Sequence, residues 1–315
     1  MRKLLSILIA LLALNMSILS QVEDSTEVDW DDDDDKEWDW GWNWKWNKNW
    51  VKDEFSGSPI IEATYGFGNP YHKKLNNEPA KNGLAELKLG YTYSSEFQRA
   101  GLVEFSDKYF FVSNISNEIY SSKLGAMEIG TDMWRFGFSK RKGYGYEFGN
   151  TRLLPYSTEG IAWSRIKFDY PYRAWPAIYP PLPGQVMEME DAEIINRYEE
   201  TFRFGTLNEA GIRFEIANTF SINAGYEAAI IFPRWVFWKH MGSLIIESAA
   251  NGILDKFINK ISDSSPAAAP IVNFVLKNGL SYAFYTLKKD KMNWPFNTET
   301  PLTYETFKFG VTFTF

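Results

Sequence analysis

The stretch Tyr304-Glu-Thr-Phe-Lys-Phe-Gly-Val-Thr-Phe-Thr-Phe315 places an apolar residue at every second position: Phe307, Phe309, Val311, Phe313 and Phe315. Thr306, Lys308, Gly310, Thr312 and Thr314 stand between them. Successive side chains of a strand point to opposite faces, so this is a β-strand with one apolar and one polar face. The same texture recurs upstream. Ile61, Ala63, Tyr65 and Phe67 alternate with Ile60, Glu62, Thr64 and Gly66, and Ala85, Leu87, Leu89, Tyr91 and Tyr93 with Glu86, Lys88, Gly90 and Thr92. Trp134, Phe136 and Phe138 alternate with Arg135, Gly137 and Ser139; Lys140-Arg-Lys-Gly143 then reads as a turn into a further strand at Tyr144–Phe148. Residues 161–168 alternate poorly. The clearest hairpin joins Ala210, Ile212, Phe214 and Ile216 to Phe220, Ile222, Ala224 and Tyr226 through Asn218-Thr219.

Composition narrows the class. Of the 315 residues, 17% are aromatic, with 24 Phe, 17 Tyr and 13 Trp. Transmembrane barrels use such an excess in girdles at the two membrane interfaces. There is no cysteine, which removes disulfides, thiolate metal sites and cysteine nucleophiles. The net charge of -7 is unevenly spread: residues 21–55 hold 13 Asp and Glu against 4 Lys, and residues from 56 onward are neutral. No basic patch is dense enough for nucleic acid, and no glycine-rich phosphate loop or metal-ligand spacing is present.

The amino-terminal segment has the form of an export signal. Arg2 and Lys3 precede the apolar run Leu4–Leu14, and residues 1–20 read as a signal peptide cleaved near Ser20–Gln21. Residues 21–55 form an acidic low-complexity tail. Asp31–Asp35 is a block of carboxylates able to collect Ca²⁺ weakly and without a defined site. Trp38, Trp40, Trp42, Trp44 and Trp46 then alternate with polar residues, which in extended chain is a row of indoles suited to a periplasmic or surface partner. No other cofactor is implied.

Two segments interrupt the strands. Residues 169–184 contain five prolines and cannot lie within a sheet, so Tyr172 and Trp175 become contact aromatics of a loop. An acidic helix is expected over Met187–Glu200. Residues 241–278 show apolar residues at three- and four-residue spacing, the mark of an amphipathic helical hairpin. Gly279–Leu287 reads as a return to β-structure. The hairpin is expected in the barrel lumen or at its mouth, where it would act as a plug; the other placement is periplasmic.

The strand ending at Phe315 resembles the last strand of Gram-negative outer-membrane β-barrel proteins. That resemblance implies an all-β fold: an antiparallel transmembrane barrel of about 8–12 strands over residues 56–315, with an inserted helical hairpin. It implies outer-membrane lipid and the barrel-assembly machinery as partners, with Phe313 and Phe315 as the insertion signal. If the apolar faces meet lipid, Glu86, Lys88, Arg135, Arg213, Glu215 and Lys308 line the lumen. Three functions follow. The first is a small pore or transport protein for unknown solutes. The second is a plugged structural or interaction barrel that displays the aromatic loop and acidic tail. The third is a lipid hydrolase using His240 and Ser243, which lack the spacing of known barrel hydrolases. His72 is read as a loop histidine.

Overall fold

The computed structural model describes residues 57–315 apart from 78, 97–101, 122–123, 125–127, 170–182 and 218; the side chains of 96, 183–189 and 263 are also left undescribed. The expected signal peptide, the acidic Trp-rich tail with Asp31–Asp35, and the loop aromatics Tyr172 and Trp175 therefore lie outside the described residues. Eight strands close into one antiparallel barrel in sequence order. They are β1 Ser58–Tyr71, β2 Asn82–Glu96, β3 Leu102–Ser116, β4 Gly130–Phe148, β5 Thr151–Asp169, β6 Phe202–Ile216, β7 Phe220–Ile231 and β8 Leu302–Thr314. The quoted carboxy-terminal stretch is β8, which pairs with β7 on one side and β1 on the other and so closes the ring.

The ring has a defined stagger. Paired residues lead from Thr92 through Asp107, Arg141, Thr158, Glu209, Glu227, Thr306 and Gly68 back to β2 at Asn82, ten residues from the start. Eight strands with that shear tilt roughly 40–45° and leave an interior just wide enough for side chains to fill. Such a wall tolerates few bulky groups at its tightest points. A Cβ on Gly137 would run into the Ile161 carbonyl and the Phe111 ring, and one on Gly143 into the Pro155 carbonyl.

The two ends differ. At one end β4–β5 and β6–β7 are joined by residues 149–150 and 217–219. At the other end the connections are residues 72–81, 117–129, 170–201 and 232–301, which carry the α-helices found among the described residues: the single turn α1 Asn117–Tyr120, α2 Pro183–Asn196, α3 Phe237–Ser264 and α4 Ala269–Lys288. Short turns on one side and long loops on the other are the usual asymmetry of outer-membrane barrels, so these are called the inner and outer ends.

Three expectations are corrected. Lys140–Gly143 is no turn but the middle of β4, where Arg141 points into the barrel and Lys140 and Lys142 point out. Gly279–Leu287 is helical, within α4; both neighbours of a ninth strand are already taken by the β7–β8 and β8–β1 pairing. The helical hairpin runs from Phe237 to Lys288 rather than over 241–278, and it lies neither in the lumen nor below the barrel. It lies against the outside of the wall. Tyr282 meets the ring of Tyr226, and Tyr285 packs with Ala228 and Ile230, outward positions of β7, and with Phe232 just past its end. The Tyr146 hydroxyl donates to the Ala267 carbonyl at the inner end, and the Asn278 amide donates to the Tyr156 carbonyl on β5. The lumen has no room for the hairpin because its own side chains fill it.

Replacing Gly137 with Val should cost about 1–3 kcal/mol through overpacking of the wall. The measurement is the urea midpoint of micelle-refolded protein, followed by heat-modifiable gel mobility, and an unchanged midpoint would contradict the close approach at this position.

Candidate functional site

The barrel interior is built in three layers. Toward the outer end the inward residues are apolar: Leu84, Phe111, Ile115, Met133, Ile166, Leu207, Ile231, Leu302 and Tyr304 pack with Ile195 and Tyr198 from the chain around α2. Toward the inner end Val103, Phe105, Leu154 and Tyr156 form a smaller apolar cluster. Between them lies a layer of charge.

This layer contains five carboxylates, Glu62, Glu86, Asp107, Glu209 and Glu227, and five cations, Lys88, Arg135, Arg141, Arg213 and Lys308, all at most 6% exposed. Each is on the inward face of its strand. Glu62 is the most connected. It accepts from Lys88 Nζ at 2.7 Å, from Arg141 at 2.8 and 3.1 Å, from Asn223 at 3.0 Å, and from the Thr312 and Thr64 hydroxyls at 2.8 and 3.1 Å. Arg141 also reaches Asp107 at 3.3 Å, and Arg213 donates to Asp107 and to Asn223. A second knot lies nearer the outer end. Arg135 donates to Glu227 at 2.6 Å, Glu86 at 3.1 Å and Ser113 at 3.1 Å. Lys308 sits 2.7 Å from both Glu86 and Glu227 and 3.2 Å from Glu209, which also accepts from the Tyr156 hydroxyl at 2.7 Å.

Aromatic rings insulate the cations. Arg141 lies 4.5 Å from the Tyr156 ring centre, Arg213 5.0 Å from Phe105, Lys88 5.1 Å from Tyr109 and Arg135 5.2 Å from Phe111. Removed from water, a charge is tolerated only when paired and hydrogen-bonded, and here both conditions hold by a one-to-one balance. The layer is a buried network of paired charges.

Of the lumen residues expected from sequence, Glu86, Lys88, Arg135, Arg213 and Lys308 face inward and meet in this layer. Glu215 also faces inward, but sits apart at the inner mouth, paired with Arg152 at 3.3 Å beside a cavity of about 400 Å³ lined by Thr92, Phe105 and Thr314. Sequence reading missed Glu62, Asp107, Arg141, Glu209, Glu227 and Asn223. Glu62, Asn223 and Glu227 stand on polar faces already recognised as alternating, so the signal was there; Arg141 was hidden by the turn-like Lys-Arg-Lys-Gly run. Phe313 and Phe315 are exposed on the outward face of β8.

The outer mouth is covered by a lid. The buried carboxylate of Asp191 on α2 accepts from the backbone and side-chain amides of both Asn76 and Asn77, at 2.8–3.1 Å. His72 lies next to this clamp, edge-on to Tyr198, with Nε2 3.3 Å from the Thr300 carbonyl and Nδ1 accepting from the Lys74 amide. That is the neutral tautomer, and burial holds the imidazole down to about 4. His240 lies outside the wall, boxed by Phe204, Phe232 and Trp235, with Nδ1 3.2 Å from Asn293. Ser243 is buried nearby and its hydroxyl makes no hydrogen bond, so the geometry provides no serine–histidine pair. Among the described residues no group of His, Asp and Glu is arranged to hold a metal ion.

Two predictions follow from the geometry. Glu62→Ala leaves buried Lys88 and Arg141 short of a counter-charge and should destabilise the barrel by about 3–5 kcal/mol, whereas Lys73→Ala, which breaks the exposed Lys73–Asp290 pair, should leave the unfolding midpoint nearly unchanged; urea unfolding from micelles measures both. The opened lid frees His72 to its usual value of about 6.5, above the folded value. The open form therefore binds more protons, and lid stability should be full above that pH and fall as pH drops toward 4. Hydrogen exchange of residues 72–77 reports this, and His72→Gln should remove the pH dependence.

No protein-family model matches this sequence, and no curated protein matches it. Among solved structures the chain is similar to Neisserial surface protein A (NspA), at 11% identity and a TM-score of 0.34, covering 82% of this chain and 98% of that one. It is also similar to Ail, the attachment invasion locus protein of Yersinia pestis, at 10% identity and a TM-score of 0.32, covering 82% and 99%. The complex of Ail with the heparin analogue sucrose octasulfate aligns with the same TM-score at 11% identity, covering 82% and 97%.

Proposed function

We propose that this protein is a plugged, non-conducting barrel of the Gram-negative outer membrane, a scaffold whose outer-end cap presents a surface to a partner. The single observation behind the reading is the five-by-five charge layer closed between two apolar layers. A solute crossing the lumen would have to part buried ion pairs that are each worth several kcal/mol to keep intact. A water-filled pore needs polar groups that are solvated, and these are not.

Membrane residence is supported by the outward face. Ile61, Tyr65, Leu89, Phe138, Phe214, Phe307 and Phe309 are 41–56% exposed, a density of large apolar groups that water would penalise. Tyr93, Phe148 and Phe315 at the inner end and Tyr71, Trp134 and Phe202 at the outer end fit the two aromatic girdles. The long connections then lie outside the cell, and α2, tied down by Asp191, offers a fixed platform there. The proposal assigns no chemistry to His240 and Ser243.

The test is conductance of refolded protein in a planar bilayer, with insertion checked by heat-modifiable mobility and protease protection. The expected outcome is electrical silence from correctly inserted protein. Stable ohmic steps would overturn the plugged reading and favour the transport one.

A further inference from the structure

The outward face of the barrel is not apolar all the way round. On β4, β5 and β6 the sequence turns polar: Lys140 stands beside Glu159, and Glu159 beside Asn208, in one row across the wall. The row is one residue removed from Arg141, Thr158 and Glu209, which place it midway along the barrel, level with the interior charge layer. In a bilayer this position faces hydrocarbon, where a lone charge is costly.

The helical hairpin lies over this flaw. α4 spans 20 residues, which at 1.5 Å per residue is about 30 Å, the thickness of the hydrocarbon layer. Its contacts climb the wall from the Ala267–Tyr146 bond at the inner end to the pairing of Lys289 with Glu305 toward the outer end. Between its two helices Lys277 pairs with Asp255 at 2.6 Å and Lys288 with Glu247 at 2.5 Å. On the wall beside them Glu159 is attracted by Lys277 and Lys142 and repelled by Glu247 and Asp255. Another side of α4 is a stripe of uncharged residues, Ile271, Val275, Gly279, Tyr282 and Thr286, with Ile271 and Val275 more than half exposed. No described helix is long and apolar enough to cross a membrane by itself.

We propose that the hairpin is part of the transmembrane surface: it lies within the bilayer against β4–β7, with Lys277 and Lys288 paired to Asp255 and Glu247 between its two helices, and the α4 stripe meets phospholipid acyl chains. The stripe continues the apolar belt of β7 and β8 through the contact of Tyr282 with Tyr226 and of Tyr226 with Phe307. The inference rests on the membrane reading given above.

The chain has no cysteine, so single-cysteine labelling is clean. Val275→Cys, Phe309→Cys and Lys239→Cys, each carrying an environment-sensitive fluorophore, are refolded as full chain into phosphatidylcholine–phosphatidylglycerol vesicles. The quenchers are acyl-brominated lipid and aqueous iodide. The expected result is that label at 275 loses about half its emission to brominated lipid, as label at 309 does on the barrel belt, and resists iodide; label at 239 responds to iodide. Quenching at 275 by iodide with 309 still quenched by lipid would overturn the inference and leave the membrane reading intact. Shielding of 275 from both quenchers would also overturn it, indicating a protein neighbour such as a second copy. Failure of lipid to quench 309 would bring down the membrane reading itself.

Discussion

Closure of the sheet governs everything else in this molecule. A closed sheet leaves no strand edge unpaired, which β8 makes possible by pairing with both β7 and β1. Closure at eight strands with a shear of ten then fixes the radius, and the radius fixes what the interior can hold. Inward side chains from opposite walls touch. Lys308 on β8 reaches Glu86 on β2, and Arg141 on β4 reaches Glu62 on β1. A polar lumen of this width has two ways to be stable, hydration or mutual pairing, and the apolar layers above and below exclude the first.

The charge layer is best understood as a device for specifying one register. A one-residue slip of a strand would turn its inward charges to the outer face and its outward residues inward. Buried ion pairs add little net stability over a well-packed apolar core, yet they penalise wrong arrangements heavily. Glu62, with five hydrogen-bonding partners drawn from β1, β2, β4, β7 and β8, can be satisfied only when those strands are in this stagger. The guanidinium groups stacked on Tyr156, Phe105 and Phe111 fill volume as well as balance charge, so the layer is also packing.

How far the sequence could be read depended on whether the two faces of a strand differed in polarity. Where one face is an apolar exterior and the other the charge layer, as in β1, β2 and β6–β8, period-2 alternation is plain. Residues 161–168 read poorly because the polarity of the faces reverses: Ile161 and Trp163 face outward and Ala162 and Ser164 inward, but then Arg165 and Lys167 face outward while Ile166 and Phe168 point into the outer apolar layer. Lys140–Gly143 misled for the reverse reason: Lys140, Arg141 and Lys142 are polar on both faces, one toward the charge layer and one toward the flawed wall. Gly279–Leu287 has apolar residues that satisfy a period of two and a period of 3.6 equally well over so short a run. Only the absence of a free sheet edge decides for the helix. The charge balance itself had no local signature, since partners such as Glu86 on β2 and Lys308 on β8 stand at opposite ends of the chain.

The polar row on β4–β6 and the long helical insertion are two halves of one adaptation. The row on β4–β6 is polar, and the hairpin beside it carries charges of its own. Its two helices pair Lys277 with Asp255 and Lys288 with Glu247, a second set of paired charges outside the barrel. On the membrane reading proposed above, both sets of charge are held by partners within the protein rather than by water. Read this way, a break in outward alternation along consecutive strands is a positive signal. It marks where a barrel wall expects cover, and in this chain the cover is encoded between β7 and β8, the last long connection before the ring closes.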